Sequence, residues 1–301
     1  MAKQAKLSKI EFQQKYSTEE ACEKQLFQMK WPQGYRCERC GQERHSTITT
    51  RKLPLYQCNQ CGYQASVIVN TILEKTRTAL TKWFIAIYGM ATDKRGYSAT
   101  QLSKDIEVSY PTAWLMLHKI REAMRNRDEQ YCLSGIVEMD EAYFGGSDEG
   151  GKRGRGTEKT QVLVGLSLEN GGRPGFARME VISDIKGTTV SDFALRNVSP
   201  GSKIKSDKFR SYNTLANDFQ HEAKKFDPSE DPEHLKWLHV IVSNAKAFVL
   251  GTFHGLDEKH LQRYLDEFCY RFNRRNFEGQ GFFRLLKSCV SSATITYNEL
   301  T

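Results

Sequence analysis

Residues Gly135–Gly146 read GIVEMDEAYFGG, and the fold turns on what kind of segment that is. Ile136, Val137 and Met139 make a short apolar run that ends in acids and glycines, the pattern of a buried strand. Downstream, QVLVGLSLE (161–169) and FARMEVIS (176–183) alternate as two more strands, with NGGRPG as the turn between them. The segment TTVSDFALRNV (188–198) reads as a helix, and SKIKS (202–206) as a strand ending in Asp207. The stretch SDEGGKRGRGTEK (147–159) is rich in glycine and charge and reads as a basic loop, and the acidic Asp227–Glu233, with two prolines, as another. DEKHLQRYLDEFCYRFNRR (257–275) has helical spacing with a basic, aromatic end. Strands first and helices mixed in later predict an α/β domain over 131–295.

Upstream the chain is organised differently. CERC at Cys37 and Cys40 and CNQC at Cys58 and Cys61 are separated by 17 residues of strand-like sequence. That spacing suits four thiolates on one Zn2+ in a ribbon over 31–72, with Gly41 and Gly62 after each pair where a positive φ is useful. A redox CxxC is the alternative, but such motifs rarely come in pairs. Arg36, Arg39, Arg44, His45, Arg51 and Lys52 surround the cysteines and suit DNA phosphates; equally, zinc stands in for a core too small to fold alone. Residues 1–30 read as a helical segment in which Ser17 caps EEACEKQLFQMKW. Over 73–130 the reading is helical throughout. LTKWFIAIYGMAT is amphipathic, and two helices broken at EVSY follow, the first capped by Ser98 and the second carrying Pro111 in its first turn. This is helix-turn-helix-like, with Thr112, His118, Lys119 and Arg121 as DNA-facing candidates, or else an ordinary helical hairpin.

Composition narrows the function classes. The 301 residues carry a net charge of +8 with a pI near 9.0, which points to a polyanion partner. No run of about 18 apolar residues occurs, so no membrane-spanning helix is expected. The N-terminus is basic without the apolar middle of a secretory signal, and the expectation is a cytoplasmic, nucleoid-associated protein. The eight cysteines form no disulfide framework: beyond the two pairs, Cys22, Cys132, Cys269 and Cys289 are scattered.

Asp140 and Asp207 each follow a strand, where a lone buried charge is costly unless it meets a cation. Two such acids on adjacent strands can hold one or two Mg2+ ions for an in-line phosphoryl displacement. Strand-end aspartates also cap turns, which is the plainer reading of each alone.

Taken in order, CERC, CNQC, VEMDEAYFGG, SDKFRSY, SNAKAFVLGTFHG and HLQRYLDEFCYRFNRR resemble the IS1595, or ISXO2-like, insertion-sequence transposases. The likeness runs from about residue 15 to 290. It implies an N-terminal zinc ribbon joined to a DDE-type catalytic domain of ribonuclease-H-like fold, hence a multidomain α+β protein. It also implies DNA partners, both the element's terminal inverted repeats and target DNA, and a homo-oligomer on paired ends, with no membrane. By this resemblance Asp140 and Asp207 are the first two catalytic acids. The family's third ligand is usually Glu, seven positions before a basic residue on a helix. Here Lys246 stands before GTFHG, and seven back is His239. The set becomes Asp140, 66 residues, Asp207, 31 residues, His239, six residues, Lys246. A neutral imidazole prefers softer ions than Mg2+, so Mn2+ is expected to serve better.

Several positions stay open on the sequence alone. Asn244 is the rival third ligand, Glu141 is expected to be structural, and His254 is undecided between turn and DNA contact. Arg263, Arg271, Arg274 and Arg275, among Tyr264, Tyr270 and Phe272, fit either a phosphate-binding surface or a solvated face over a core. Two functions compete with transposition: a catalytically inactive zinc-ribbon regulator, and a metal-dependent nuclease that nicks without joining.

Overall fold

Ser8 opens the first helix, α1 (Lys9–Lys15), through a capping box with Glu11, and Thr18 opens the second, α2 (Glu19–Lys30), by accepting from the Ala21 N–H. Ser17, expected to cap α2, instead donates to the Gln14 carbonyl at the end of the preceding turn. The computed structural model describes residues 7–145, 158–169, 171–225, 227, 229–254, 256–277 and 279–301. Most of the expected basic loop (147–157), Gly146, Asn170 of the hairpin turn and Gly255 of GTFHG lie outside the described residues. The described residues form two units: those up to Arg127 together with Phe277–Thr301, and Asp128–Asn276.

In the first unit a three-stranded antiparallel sheet, β1 (His45–Ile48), β2 (Leu55–Cys58) and β3 (Gln64–Ala65), carries the cysteine knuckles. Three helices follow: α3 (Leu80–Thr92), α4 (Ala99–Asp105) and α5 (Tyr110–Asp128). Ser98 caps α4 as expected, by accepting from the Gln101 N–H. Ala79, at the head of α3, has no side chain to cap with. Glu19 of α2 supplies what is missing: its oxygens accept from the Leu80 and Thr81 N–H groups at 2.9 and 2.8 Å and from the Thr81 hydroxyl at 2.9 Å. Glu19→Ala is therefore expected to lower the stability of this unit by about 1 kcal/mol, the ordinary worth of an N-cap. A fall in the urea midpoint would report it, with Glu19→Gln retaining most of the wild-type value.

The second unit is built on a five-stranded sheet. Its central strand, β4 (Ile136–Phe144), pairs antiparallel with β5 (Thr160–Glu169), which pairs antiparallel with β6 (Arg173–Ile182). Helix α6 (Gly187–Asn197) leads into β7 (Lys203–Ser206), parallel to β4, and a 3-10 helix (Arg210–Asn217) leads into β8 (Gln220–Ala223), parallel to β7. The order β6-β5-β4-β7-β8, with three antiparallel strands first and two parallel strands after, is ribonuclease-H-like. Helices α7 (Lys236–Thr252) and α8 (Leu261–Asn273) complete the unit.

The alternation of side chains along β4 sorts the core. Ala142 and Phe144 join Val162, Val164 and Leu166 against Leu238, Ile241, Ala245 and Phe248 of α7 and Leu265 of α8. On the other face Val137, Met139 and Leu163 meet Val190, Phe193 and Ala194 of α6 with Tyr212 and Leu215. Asp140 does not follow a strand ending at Met139, as the sequence reading had it. The strand runs on through Phe144, because Ala142 and Phe144 continue the buried face.

The C-terminus returns to the first unit. Two last helices, α9 (Gly281–Val290) and α10 (Tyr297–Leu300), belong there, whereas the sequence reading runs the catalytic domain to 295. Phe282 of α9 lies 5.2 Å from Phe12 and 5.8 Å from Phe84 between ring centres, and Gly281 packs so closely on the Ala91 carbonyl that a Cβ would stand 3.2 Å from it.

Candidate metal centres

Asp140 stands in mid-strand on the α7 face of the sheet, 9% exposed. Register brings Asp207 beside it. The parallel pair β4 and β7 matches Glu138 with Lys205 and Met139 with Ser206, so the next step sets Asp140 alongside Asp207, and paired side chains share a face. The Asp207 carboxylate also accepts from the Phe209 N–H at 2.9 Å, which fixes the turn leaving β7. Burial pushes the Asp140 carboxyl up to about 8, and the charges of Glu141 and Asp207 push the same way. An acid so placed favours a proton or a cation over a bare charge. Glu141 points to the opposite face, where the Tyr212 hydroxyl donates to it at 2.9 Å.

His239 and Lys246 share a half-buried face of α7, two turns apart, while Asn244 is exposed. Burial lowers the His239 imidazole, and the charges of His234 and Lys246 lower it further, so it is held neutral, the form that ligates a metal. Burial and the neighbouring Lys159 lower Lys246, whose Nζ lies 5.8 Å from the centre of the Phe144 ring. Lys159, immediately before β5, is the cation missed by the sequence reading. Its only signal was its place at the edge of the basic loop. Among the described residues, the group whose ligand atoms all lie within 4.8 Å of one another is a different one, made by the four cysteines.

Those cysteines fit one tetrahedral zinc. The Cys37 and Cys61 Sγ atoms are 3.6 Å apart and the Cys40 and Cys58 Sγ atoms 3.5 Å. Each knuckle closes through a backbone bond, Gly41 N–H to the Cys37 carbonyl at 2.9 Å and Gly62 N–H to the Cys58 carbonyl at 3.0 Å, and both glycines take the positive φ expected of them, +76° and +70°. Desolvation raises the Cys37 thiol, but the Cys40 and Arg39 amides outweigh it and bring it down to about 6. The Cys61 amide lowers Cys58. Cys40 goes the other way: the Gln42 amide lowers it, but desolvation and the neighbouring thiols outweigh that and push it up to about 12, so the ring holds ionised and protonated thiols side by side until a cation joins them. Around the ribbon, Arg36, Arg39, Arg44, Arg51 and Lys52 are exposed, while His45 is partly covered, 4.5 Å from the Tyr35 ring.

The other DNA-facing candidates fare differently. His118 and Arg121 are 0% and 2% exposed and lie in the core of the first unit, so neither faces DNA. Lys119 donates to the Thr294 hydroxyl at 2.7 Å, and the Thr112 hydroxyl is 2.9 Å from that of Ser109. The outward positions are at the head of α5: Ser109, Tyr110 and Pro111 are exposed, after a turn in which Glu107 takes φ +51°. Of the arginines in and just after α8, Arg271, Arg274 and Arg275 bind protein. Arg271 pairs with the buried Glu267 at 2.7 Å, and Arg274 with Asp128 at 2.5 Å. Arg275 donates to the Gly175 and Phe272 carbonyls and lies over the Phe272 ring. They are fold contacts rather than a phosphate-binding surface. Of the scattered cysteines, Cys22, Cys269 and Cys289 are buried and Cys132 is exposed. No helix among the described residues is long and apolar enough to cross a membrane.

Comparison with known proteins places these features. Residues 132–273 match the ISXO2-like transposase domain of the IS1595 type, and residues 17–64 match the transposase zinc-ribbon domain of the same type. The chain is 30% identical over 150 residues to an uncharacterized protein in transposable element ISH50 of Halobacterium salinarum. That match takes in 49% of this chain and 48% of the relative, so the chain spans about half the length of the curated relative it matches. Among solved structures, a pre-cleavage Mos1 transpososome aligns at 13% identity with a TM-score of 0.28, over 71% of this chain and 79% of that one. A Mos1 transposase paired-end complex with the left transposon end aligns at 12% identity with a TM-score of 0.23, over 70% and 79%.

Proposed function

Because the chain belongs to the IS1595 (ISXO2-like) transposase family, we propose that it is a DNA transposase acting on the ends of its own insertion sequence. In this reading water attacks phosphorus at each element end and the 3′-oxygen leaves as a hydroxyl. That 3′-hydroxyl then attacks a target phosphodiester, displacing another 3′-oxygen. The observation that carries the reading is the buried Asp140, destabilised as a charge, on a strand whose parallel pairing with β7 ends one step before Asp207, whose own charge acts on it. Asp140, Asp207 and His239 are the residues we assign to divalent metal, Mg2+ or Mn2+. Such ions, when bound, stabilise the attacking and leaving oxygens of an in-line displacement. Lys246 and the neighbouring Lys159 are assigned to phosphates of the bound strand, as point charges. The exposed arginines of the zinc ribbon (31–72) and the head of α5 (within 73–130) are assigned to the terminal inverted repeats, the first to phosphates and the second to base edges. Paired ends imply two or more copies.

The test is cleavage and joining of DNA carrying the element's ends, with Mg2+ or Mn2+. Joined products that require Asp140 support the reading, and nicking without joining would favour a nuclease. One observation favours a second reading. The third acid of the family is a histidine here, as a protein that binds ends without cutting could tolerate. End binding with no cleavage in either metal would establish that inactive regulator.

The raised Asp140 also sets a pH dependence. Its folded value, about 8, lies above its ordinary 3.8, so without metal its contribution favours the fold at low pH and is lost as pH rises through about 8. A divalent cation must displace that proton. Mn2+ affinity is thus expected to rise about tenfold per pH unit through neutrality and to level off above about 8. Titration of Mn2+ into the zinc-loaded chain at several pH values measures it. A flat profile would contradict the placement of the metal on Asp140.

A further inference from the structure

Helix α7 begins without a cap of its own. Its N-cap residue, Leu235, is fully buried at φ +55° and makes no side-chain cap, so the first-turn amides need partners from elsewhere. One partner comes from the sheet. The Leu238 N–H donates to Glu138 Oε2 at 3.1 Å, from a hundred positions further along the chain. Glu138 is itself 2% exposed, and a carboxylate buried to that degree is costly unless its oxygens are satisfied. The bond therefore fixes both ends.

Its place matters more than its strength. Glu138 and Asp140 are two apart on β4 and share the face turned to α7, and Leu238 directly precedes His239. Further along, Lys246 of α7 reaches the ring of Phe144 on the same strand. Strand and helix thus run alongside each other, joined at Glu138–Leu238 and again at Phe144–Lys246. Asp140 lies between the two joins on the strand, and His239 between them on the helix.

We propose that Glu138 is a positioning residue for the metal site: its carboxylate grips the first turn of α7 and holds His239 level with Asp140 and Asp207. This rests on the reading of those three residues as the metal-holding set. Ligand geometry tolerates little displacement, and residues that orient ligands are worth about 10–100-fold in metal affinity. Reach and charge can be separated here. Glu138→Gln keeps the reach without the charge, whereas Glu138→Asp keeps the charge and is one methylene short.

The experiment uses the full, zinc-loaded chain, with Mn2+ titration and hydrogen exchange at the Leu238 amide. Glu138→Asp is expected to weaken Mn2+ binding about tenfold or more and to speed Leu238 exchange, while the β4 and β5 amides stay protected. Glu138→Gln should stay within about threefold of wild type in both readouts. The opposite order, with Gln the more damaging, overturns the proposal, as does unchanged Leu238 exchange in Glu138→Asp. Should Glu138→Asp fail to fold, the Gln variant decides alone, since a loss beyond about threefold there makes charge rather than reach the cause. Asp140→Ala separates this from the underlying assignment. If Asp140→Ala binds Mn2+ like wild type, the metal set itself is misplaced. If Asp140→Ala loses Mn2+ while the Glu138 variants come out in the wrong order, only the positioning role falls.

Discussion

Asp140→Ala is expected to abolish cleavage and joining of element-end DNA, a loss on the order of 1,000-fold or more, while end binding stays within about twofold of wild type. The argument begins with position. Asp140 is buried in mid-strand, on the sheet face shared with Asp207, and offers nothing to a DNA surface except through the site itself. The same substitution carries a second signature of opposite sign. Without divalent metal the folded chain must hold a carboxyl pushed up to about 8, so near pH 8 and above the alanine variant should unfold at a higher temperature than wild type. An inactive variant that is also more stable without metal is hard to explain by misfolding. Two companion substitutions locate the third ligand. His239→Ala should lose activity, whereas Asn244→Ala, on an exposed face of α7, should keep it. Activity retained by His239→Ala and lost in Asn244→Ala would exchange their roles.

What could be read along the chain was what depends on near neighbours. The helix LTKWFIAIYGMAT begins and ends at Leu80 and Thr92, where its periodicity puts it, and Ser98 caps three residues ahead of its partner. The zinc ribbon was legible because two CxxC knuckles are local devices. Features made by distant partners were not. Glu19 caps α3 across 61 residues and Glu138 bonds to the first turn of α7 across 100, and nothing adjacent in sequence marks either acid as a cap. Arg271 and Arg274 fit a phosphate-binding surface and a solvated face equally well along the chain, because their carboxylates, Glu267 and Asp128, declare themselves as partners only once α8 is packed. His118 and Arg121 fell on the buried side of α5 for a related reason: a helix covered on most sides has no polar face from which to tell inside from outside. The edge strand β8, reading QHEA, escaped notice because edge strands are short and charged by necessity. An acid in mid-strand breaks the apolar pattern, so the sequence alone ends the strand at Met139, before Asp140, whereas β4 runs to Phe144. That break marks the candidate site.

Removal of zinc is expected to separate the two units functionally. The ribbon's sheet has four-, four- and two-residue strands, too little to bury a core, so the thiolate ring is what keeps its two knuckles together. Treating the chain with a strong chelator, or substituting Cys37→Ser, should unfold the ribbon, read as loss of amide protection at Gly41 and Gly62. The β4–β5 amides of the other unit should keep theirs, because that unit has an apolar core on each face of its own sheet. The consequence for DNA follows from charge. Arg36, Arg39, Arg44, Arg51 and Lys52 are exposed on the folded ribbon, and each phosphate contact they make contributes about 0.9 to the slope of log affinity against log salt. Loss of the ribbon should lower that slope by roughly 2–4 and erase the preference for element ends over other DNA. A slope unchanged by chelation would mean that zinc only stabilises the fold and that end recognition lies elsewhere, with the exposed head of α5 at Tyr110 the first place to look.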